Sequence, residues 1–458
     1  RRFGVTHWTG GARVRSATLF LRCAIRAATY AASQMKVLIL GAGAAGMMCA
    51  RELEARGLRV TLVEAQKRRG GRCFTLRAGT RVKEDGHPEQ TCSFEGDRYF
   101  NPGPARIAQH HRTVRLCREL GVGLEPFVNR NYAAFQHTSK GPWKGRRVPL
   151  RDLDFDLRGR TYELLYERIE DRTIAPELDE ETRGRFLDYC REYGGLGRRG
   201  TPSENRYTGA DRRTPGSGPA SREALLASGL SSKLQFLDEY DLQHSMLQVV
   251  GGTDRLTDAL AGSLESEVHL GTVVRSIEVG EDCVSVRVEQ GGEIRALRAD
   301  RCVVALPLPA LARVETNLGS DFTKAVREAQ YDPAVKVGLE YAERWWEAEL
   351  DLYGGMTFTD LPATQFWYPS HGLGARGGVL LGAYSFGTNG AEHARMTPAE
   401  RSEASTAEAR EVHGRADPVR SGVTVAWKNM PWAGGAYAGK NHAQTKALKV
   451  PHPRVRLA

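Results

Sequence analysis

The sequence predicts an α/β fold with a parallel sheet, and three observations close to its start carry this prediction. A continuous apolar run, Val37–Leu40, is typical of a strand that is buried on both faces. It is followed by Gly41, Gly43 and Gly46, which allow a tight turn into a helix. A second apolar run, Val60–Val63, then ends at an acidic residue. Together these features predict a Rossmann-type unit.

The acidic residue, Glu64, makes this unit a candidate dinucleotide site. Backbone amides at a glycine-rich helix N-terminus can bind a pyrophosphate. The carboxylate of Glu64 follows the second strand, where it can accept hydrogen bonds from both hydroxyls of an adenosine ribose. Strand, glycines, helix, strand and acid occur in this order within about 30 residues, which is the context that the motif requires.

Composition limits the other classes of function. The chain has 458 residues, of which 41% are hydrophobic, so it can bury a large core and more than one domain. Its net charge is +10, but the basic residues are scattered and no nucleic-acid motif is present, which favours a solvated basic surface and no nucleic-acid partner. The eight cysteines form no C-x-x-C pair, so we expect neither a metal site nor a disulfide scaffold. No apolar run is long enough to span a bilayer.

Residues 1–34 form a basic leader. They contain six arginines and no acidic residue, with many Ala, Ser and Thr, which is typical of targeting or export segments. The alternative is translation from Met35, with the preceding residues spurious or disordered. The compartment is therefore open: cytoplasmic if translation starts at Met35, exported or organellar if the leader is real.

The remaining pattern predicts a nucleotide-binding domain that is interrupted by insertions. We expect its first part at 35–111 and its second part at 236–325, where strand-like residues return after 268. A helical insertion is expected at 112–235, and a second, mixed sheet at 326–420. Residues 421–458 return to the nucleotide-binding domain. The segment 194–221 is rich in Gly, Arg, Pro and Ser and is predicted to be a long surface loop.

Further motifs follow the glycine turn in a fixed order. They are Arg69–Cys73, Asn101–His111, Gln248–Leu256, Val274–Ile277, Ala334–Glu340, Arg344–Glu347 and Trp427–Tyr437. These segments resemble the successive motifs of the flavin amine oxidases. The segment 101–111 resembles the flavin-adjacent loop of the L-amino-acid oxidases, bacterial ones especially. The resemblance covers residues 36 to about 440. It implies a discontinuous FAD-binding domain, a mixed-sheet substrate-binding domain at 326–420 and a helical insertion at 112–235 that controls substrate access.

The resemblance implies FAD as the cofactor. The residues that it assigns to the FAD site are Gly41, Gly43, Ala45, Gly46, Glu64, Gly71, Arg72, Gly103, Ala105, Arg106, Val274, Trp427, Trp432 and Tyr437.

The resemblance also implies a substrate site. Arg106 is expected to bind the substrate carboxylate, since a planar guanidinium can do so through two parallel hydrogen bonds. Tyr368 is expected to share that carboxylate, with Trp367 as an alternative one residue away, and Trp432 to line the site. Lys336 corresponds to the catalytic lysine that hydrogen-bonds through water to flavin N5.

The activity that follows from the resemblance is oxidative deamination. An L-amino acid and dioxygen would yield a 2-oxo acid, ammonia and hydrogen peroxide, as in amino acid catabolism. The alternatives are an amine or polyamine oxidase and a tryptophan-type monooxygenase. The sequence does not indicate which amino acid is preferred. It also leaves the oligomeric state open, with a homodimer as one alternative.

The C-terminal residues depart from the family pattern. After the Gly-Ala-Tyr segment, family members continue into a strand, a Phe-Ala-Gly-Glu-His motif and a helix, whereas residues 439–453 match none of these. Smaller departures are Ala108 in place of the usual Pro and Thr253 in place of a hydrophobic residue. We therefore expect the C-terminal family segment to be missing, and a truncated, non-catalytic remnant that does not retain FAD is a further alternative.

Overall fold

The computed structural model describes residues 35–202, 220–229, 239–415, 417–439, 448 and 452–458. The leader 1–34 and most of the predicted 194–221 loop lie outside these residues. Within them, the helices in chain order are α1 Ala44–Glu54, α2 Arg112–Glu119, α3 Leu150–Glu170, α4 Glu180–Gly194, α5 Arg222–Ala227, α6 Asp254–Gly262, α7 Leu308–Leu311, α8 Ser320–Arg327, α9 Trp345–Ala348, α10 Gly387–Arg395 and α11 Pro398–His413.

The strands in chain order are β1 Lys36–Leu40, β2 Arg59–Val63, β3 Arg81–Val82, β4 Gln90–Thr91, β5 Leu124–Val128, β6 Phe135–His137, β7 Arg147–Pro149, β8 Ser245–Val249, β9 Val268–His269, β10 Thr272–Val279, β11 Val284–Gln290, β12 Glu293–Ala299, β13 Arg301–Val304, β14 Glu315–Thr316, β15 Val335–Tyr341, β16 Met356–Thr359, β17 Gln365–Trp367, β18 Gly378–Ser385, β19 Val419–Ala426 and β20 Val455–Leu457.

The nucleotide-binding unit is a parallel sheet with the strand order β20-β13-β1-β2-β9. Four of the five residues of β1 are buried, since β1 lies at the centre of this sheet. Helix α1 packs on one face through Met47 and Ala50. The other face packs against the sheet β12-β11-β10-β14 through Val286, Val288 and other apolar residues. The α/β fold predicted from the sequence is confirmed.

The last strand corrects part of the expectation that the C-terminal family segment is missing. Strand β20 pairs in parallel with β13, so that Cys302 lies opposite Val455 and Val304 opposite Leu457. Val455 is buried in the core beside Cys302. A strand after the Gly-Ala-Tyr segment, which the family resemblance implies, is therefore present.

The second large sheet has the order β19-β15-β18-β17-β16-β6-β7 and carries the larger hydrophobic core. Its central strand β15 is buried at all seven positions. Strands β6 and β7 lie within the segment 112–235, for which a helical insertion was expected, and β19 extends beyond the expected domain end at residue 420. Both the helical segment and the C-terminal segment thus contribute strands to this sheet.

Helices α3 and α4, which lie in the segment 112–235, pack against each other as a hairpin. The side chain of Asp179 caps the N-terminus of α4 by accepting a hydrogen bond from the amide of Thr182 (2.8 Å), and Gly195 ends this helix in the left-handed conformation. Within the part of the chain that the structure describes, no helix combines the length and the apolar character that crossing a membrane requires.

Candidate active site

A cavity of about 330 Å³ lies at the glycine turn that joins β1 to α1. Gly41 has a φ of +102°, which a side chain would disfavour. A Cβ atom on Gly46 would clash with the carbonyl oxygen of Gly41, so the helix packs directly on the turn. In contrast, a Cβ atom on Gly43 would meet no atom within 4 Å, and Gly43 lines the cavity. The backbone at Gly43 is therefore open to a bound group, as a dinucleotide cradle requires.

Glu64 is held at this cavity by two backbone amides. One carboxylate oxygen accepts a hydrogen bond from the amide of Ala42 (2.9 Å) and the other from the amide of Gln66 (2.9 Å). Glu64 is only 7% exposed, yet it lines the cavity. A carboxylate offers about four acceptor sites, so two bonds leave capacity for the hydroxyls of a ribose.

A second cavity of about 470 Å³ adjoins the first, and Arg72 and Trp427 line both. Trp427 is buried and donates a hydrogen bond from Nε1 to the carbonyl oxygen of Pro102 (2.9 Å). The other principal side chains around this second cavity are those of Arg106, Lys336, Trp367, Tyr384 and Tyr437.

Arg106 reaches the second cavity from the loop that follows Asn101. Its guanidinium carbon lies 4.5 Å from the centre of the Trp367 ring, and Nη1 donates a hydrogen bond to the side-chain oxygen of the buried Asn129. Burial lowers the pKa of Arg106 to about 10. The guanidinium is nevertheless protonated at neutral pH, so it places a positive charge in a largely aromatic cavity.

Lys336 reaches the same cavity from β15 and is 5% exposed. Its Nζ donates a hydrogen bond to the carbonyl oxygen of Gly103 (2.7 Å) and lies 4.6 Å from the centre of the Tyr384 ring. Burial, assisted by the positive charge of Arg106, lowers the pKa of Lys336 to about 7. The lysine thus faces inward and titrates near neutral pH.

Tyr368 does not reach the cavity, which corrects its expected place beside Arg106. Its hydroxyl is buried between Thr357 Oγ1 (2.9 Å) and His413 Nε2 (2.8 Å). Trp367 is the last residue of β17 and lines the cavity, whereas Tyr368, which directly follows the strand, is buried in the core. Trp367, the alternative one residue away, is the side chain that contacts Arg106.

Most of the remaining predicted residues line one of the two cavities, whereas Gly46 and Val274 line neither: Ala45, Gly71 and Trp432 line the first, and Gly103, Ala105 and Tyr437 line the second. Trp432 therefore does not line the cavity of Arg106, which corrects its expected place in the substrate site. Arg72 donates a hydrogen bond to the carbonyl oxygen of Ala436 (2.6 Å).

Val274 lies outside both cavities. It packs against the core between the parallel sheet and the four-stranded sheet. It follows Thr272, whose amide donates to the carbonyl oxygen of Glu64 (2.8 Å).

Sequence reasoning missed two side chains around Arg106. Asn129, which accepts a hydrogen bond from Arg106, lies in the segment 112–235, which was expected to be a helical insertion. Tyr384 lies in the segment 326–420, which was expected to form a mixed sheet, but it was not predicted as a site residue. Its ring lies next to Lys336 Nζ, and burial raises the pKa of its hydroxyl. Among the residues that the structure describes, no group of three or more His, Cys, Asp or Glu side chains could hold a metal ion.

Comparison with known proteins is consistent with this geometry. The sequence model of the family "Flavin containing amine oxidoreductase" matches residues 44–458. The L-amino-acid oxidase of Siganus canaliculatus is 27% identical over 88% of this chain and 75% of its own length. The flavin-dependent L-tryptophan oxidase RebO of Lentzea aerocolonigenes is 27% identical over 88% of this chain and 86% of its own length. The L-amino-acid oxidase of Gloydius halys is 26% identical over 80% of this chain and 71% of its own length.

Proposed function

The chain belongs to the flavin-containing amine oxidoreductase family, and from this premise we propose that it catalyses FAD-dependent oxidative deamination of an L-amino acid. The products are a 2-oxo acid, ammonia and hydrogen peroxide, and the electron acceptor is dioxygen. The single observation that carries the proposal is the guanidinium of Arg106, which lines the cavity next to the glycine turn together with Lys336.

The first cavity fits an FAD molecule in its chemistry. The open position at Gly43 accommodates the close approach of a pyrophosphate, and the carboxylate of Glu64 can accept from the ribose hydroxyls. Arg72 lies where the two cavities adjoin and supplies a positive charge. The other residues proposed to contact the cofactor are Gly41, Ala45, Gly71 and Trp432, and, from the second cavity, Gly103, Ala105, Trp427 and Tyr437. When bound, FAD supplies the redox chemistry of amine oxidation.

The substrate carboxylate is proposed to bind Arg106. A planar, always protonated guanidinium binds a carboxylate through two parallel hydrogen bonds, which also fixes the orientation of the amino acid. The ring of Trp367 supports the guanidinium from one side and excludes water from it. A carboxylate held in this way restricts the position of the substrate Cα within the second cavity, which Trp427 also lines.

Lys336 is proposed to act as the catalytic lysine. Because its pKa lies at about 7, Nζ can hold or release a proton near neutral pH. Its hydrogen bond to Gly103 places this group on the side of the cavity formed by the Arg106 loop. A bound carboxylate near Arg106 would offset the positive charge that lowers the pKa of Lys336.

The names of the relatives support an amino acid as the substrate, since two are L-amino-acid oxidases and one is an L-tryptophan oxidase. An amine oxidase needs no carboxylate-binding cation, so the buried Arg106 favours an amino acid over a simple amine or polyamine.

The test is to purify the chain in the presence of FAD and to supply each of the common L-amino acids. We expect visible flavin absorption that stays with the protein, with hydrogen peroxide, ammonia and a 2-oxo acid formed in equal amounts. Formation of an amide would indicate a tryptophan-type monooxygenase. A protein without flavin, or one that oxidises only amines, would contradict the proposal.

A further inference from the structure

Three successive carbonyl oxygens precede Arg106, and each accepts a hydrogen bond from a side chain of a different segment. Pro102 accepts from Trp427 Nε1 (2.9 Å), Gly103 from Lys336 Nζ (2.7 Å) and Pro104 from Thr253 Oγ1 (2.6 Å). Trp427 and Lys336 belong to the proposed active site. Thr253 lines neither cavity and has no role in the proposed function.

The hydroxyl of Thr253 is used in an unusual way for its position. Thr253 is the N-cap residue of α6, where a Thr side chain would ordinarily accept a hydrogen bond from an amide of the first turn. Here it makes no capping bond, and its hydroxyl donates to the Arg106 loop. The helix end is capped from elsewhere, because the amide of Asp254 donates to Thr75 Oγ1 (3.2 Å).

Thr253 is well anchored on the helix side. Its own amide donates to the side-chain oxygen of Asn101 (3.1 Å), the residue that begins the loop. The next residue, Asp254, accepts two hydrogen bonds from the guanidinium of Arg77 (2.6 and 3.0 Å). Thr253 is 7% exposed, so solvent does not compete strongly for its hydroxyl.

We propose that Thr253 is a positioning residue for Arg106, and that its hydroxyl fixes the backbone of the loop two residues before the guanidinium that binds the substrate carboxylate. This inference rests on the proposed function. Beyond Arg106, Ile107 is bound through its amide and its carbonyl to Leu247 (2.7 and 2.9 Å). The backbone is therefore held by hydrogen bonds on both sides of Arg106. Of the three side-chain contacts before Arg106, the one from Thr253 is the nearest in the sequence.

The test uses Thr253→Val, which removes the hydroxyl and keeps the shape, and Thr253→Ser, which restores the hydroxyl. Binding of benzoate, an unreactive carboxylate, is measured by calorimetry on the FAD-loaded protein. We expect Thr253→Val to weaken benzoate binding and to raise KM for the best amino-acid substrate about tenfold, with kcat within about twofold. Thr253→Ser should restore both values to within about twofold.

Thr406→Val serves as the matched control. Its hydroxyl also donates to a backbone carbonyl, that of Ser402 (2.7 Å), but on α11 and away from the loop. Thermal unfolding shows whether each variant folds. Should Thr253→Val fail to fold, Thr253→Met, which carries a hydrophobic residue like those of the family, replaces it with the same expectation.

The other outcomes of the benzoate and KM measurements each contradict one claim. If Thr253→Val binds benzoate as tightly as the unaltered chain and has its KM, the positioning role is overturned while the proposed function stands. Equal weakening in Thr406→Val would likewise overturn it, because the effect would then be a general one. If the unaltered chain binds no benzoate, the role of Arg106 in the proposed function is itself contradicted, and the role of Thr253 with it.

Discussion

Lys336 Nζ lies 2.7 Å from the carbonyl oxygen of Gly103, so the proposed catalytic lysine is bonded to the loop that carries Arg106. The two cationic side chains therefore share one cavity and one backbone segment. Their proximity also explains part of the low pKa of Lys336, because the charge of Arg106 disfavours a second positive charge nearby.

The pKa of Lys336 predicts a pH-dependent stability. In the folded, FAD-free chain the pKa is about 7, against 10.5 for a free lysine. The free-energy penalty of burying the charged form of this lysine is therefore fully present below pH 7 and absent above pH 10.5. Between these values the free energy of unfolding rises with pH. We expect the stability advantage of Lys336→Met over the unaltered chain to shrink by about 1.4 kcal/mol for each pH unit in this window.

Urea unfolding at pH 7, 8 and 9 measures this difference, with Lys324→Met, a change at an exposed lysine, as the control. A stability difference between Lys336→Met and the unaltered chain that does not vary with pH would show that Lys336 keeps its ordinary pKa in the folded state.

Because the position of Gly43 is open to the first cavity, we predict that a larger residue there prevents FAD binding without disturbing the fold. In Gly43→Val the new Cβ atom would meet no protein atom within 4 Å at a position that lines the cavity, and Gly43 has a φ of −74°, which valine can adopt. We expect FAD to be lost from the purified protein while the unfolding midpoint of the FAD-free chain changes little. Absorption spectra report the FAD content. Gly184→Val on α4, which is also free of clashes, should retain FAD. Retention of FAD by both variants would place the cofactor elsewhere.

The opposite directions of Trp367 and Tyr368 predict opposite effects on stability and substrate binding. Tyr368→Phe removes the hydroxyl between Thr357 and His413, so it should destabilise the fold by about 1–3 kcal/mol and leave KM nearly unchanged. Trp367→Leu removes the ring beside Arg106 and should raise KM at least about twofold. Thermal unfolding and steady-state kinetics on both variants decide between these assignments. A raised KM in Tyr368→Phe alone would restore the original prediction for Tyr368.

The ion pair of Arg401 and Glu84 is fully buried and contacts the backbone of Ala426, the residue before Trp427. The guanidinium donates two hydrogen bonds to the carboxylate (2.9 and 2.6 Å), which also accepts from the amide of Ala426 (3.0 Å). Arg401→Met leaves the carboxylate without its countercharge, so we expect a loss of about 3–5 kcal/mol in the free energy of unfolding. Adding Glu84→Gln should recover much of this loss, because the buried charge is then removed.

The control for the buried pair is Arg185→Met, which removes the exposed pair with Glu181 and should change stability by less than about 1 kcal/mol. Equal losses in Arg401→Met and Arg185→Met, measured by denaturant unfolding, would show that burial of the first pair adds nothing.

Much of the nucleotide-binding unit could be predicted because its signals are local. The strand Val37–Leu40, the glycine turn and the acid after β2 lie close together in the sequence, and each position is dictated by backbone geometry or burial. Arg106 and Lys336 were found through motifs, and the cavity brings them together. Their environment, which sets their pKa values, depends on side chains from distant segments and is not visible in the sequence.

The errors concern side-chain direction and long-range pairing. A one-residue shift at the end of the short strand β17 exchanges Trp367 for Tyr368. The motif alone does not determine which of the two side chains faces the cavity. Strands β6 and β7 are three residues each and pair with each other. Only β6 joins them to the rest of the large sheet, through β16, which lies more than 200 residues away in the sequence. Strand β20 follows a segment without a family motif, and its place depends on pairing with β13. Tyr384 and Asn129 likewise reach the site only through the tertiary fold.

The most direct test of the account is the effect of Arg106→Ala on two substrates, the best L-amino acid and the amine that its decarboxylation gives. If the guanidinium binds the carboxylate, kcat/KM for the amino acid should fall at least about tenfold. The same ratio for the amine, which has no carboxylate, should stay within about twofold. An equal fall for both substrates, or no fall for the amino acid, would contradict carboxylate binding by Arg106 and with it the proposed deaminase.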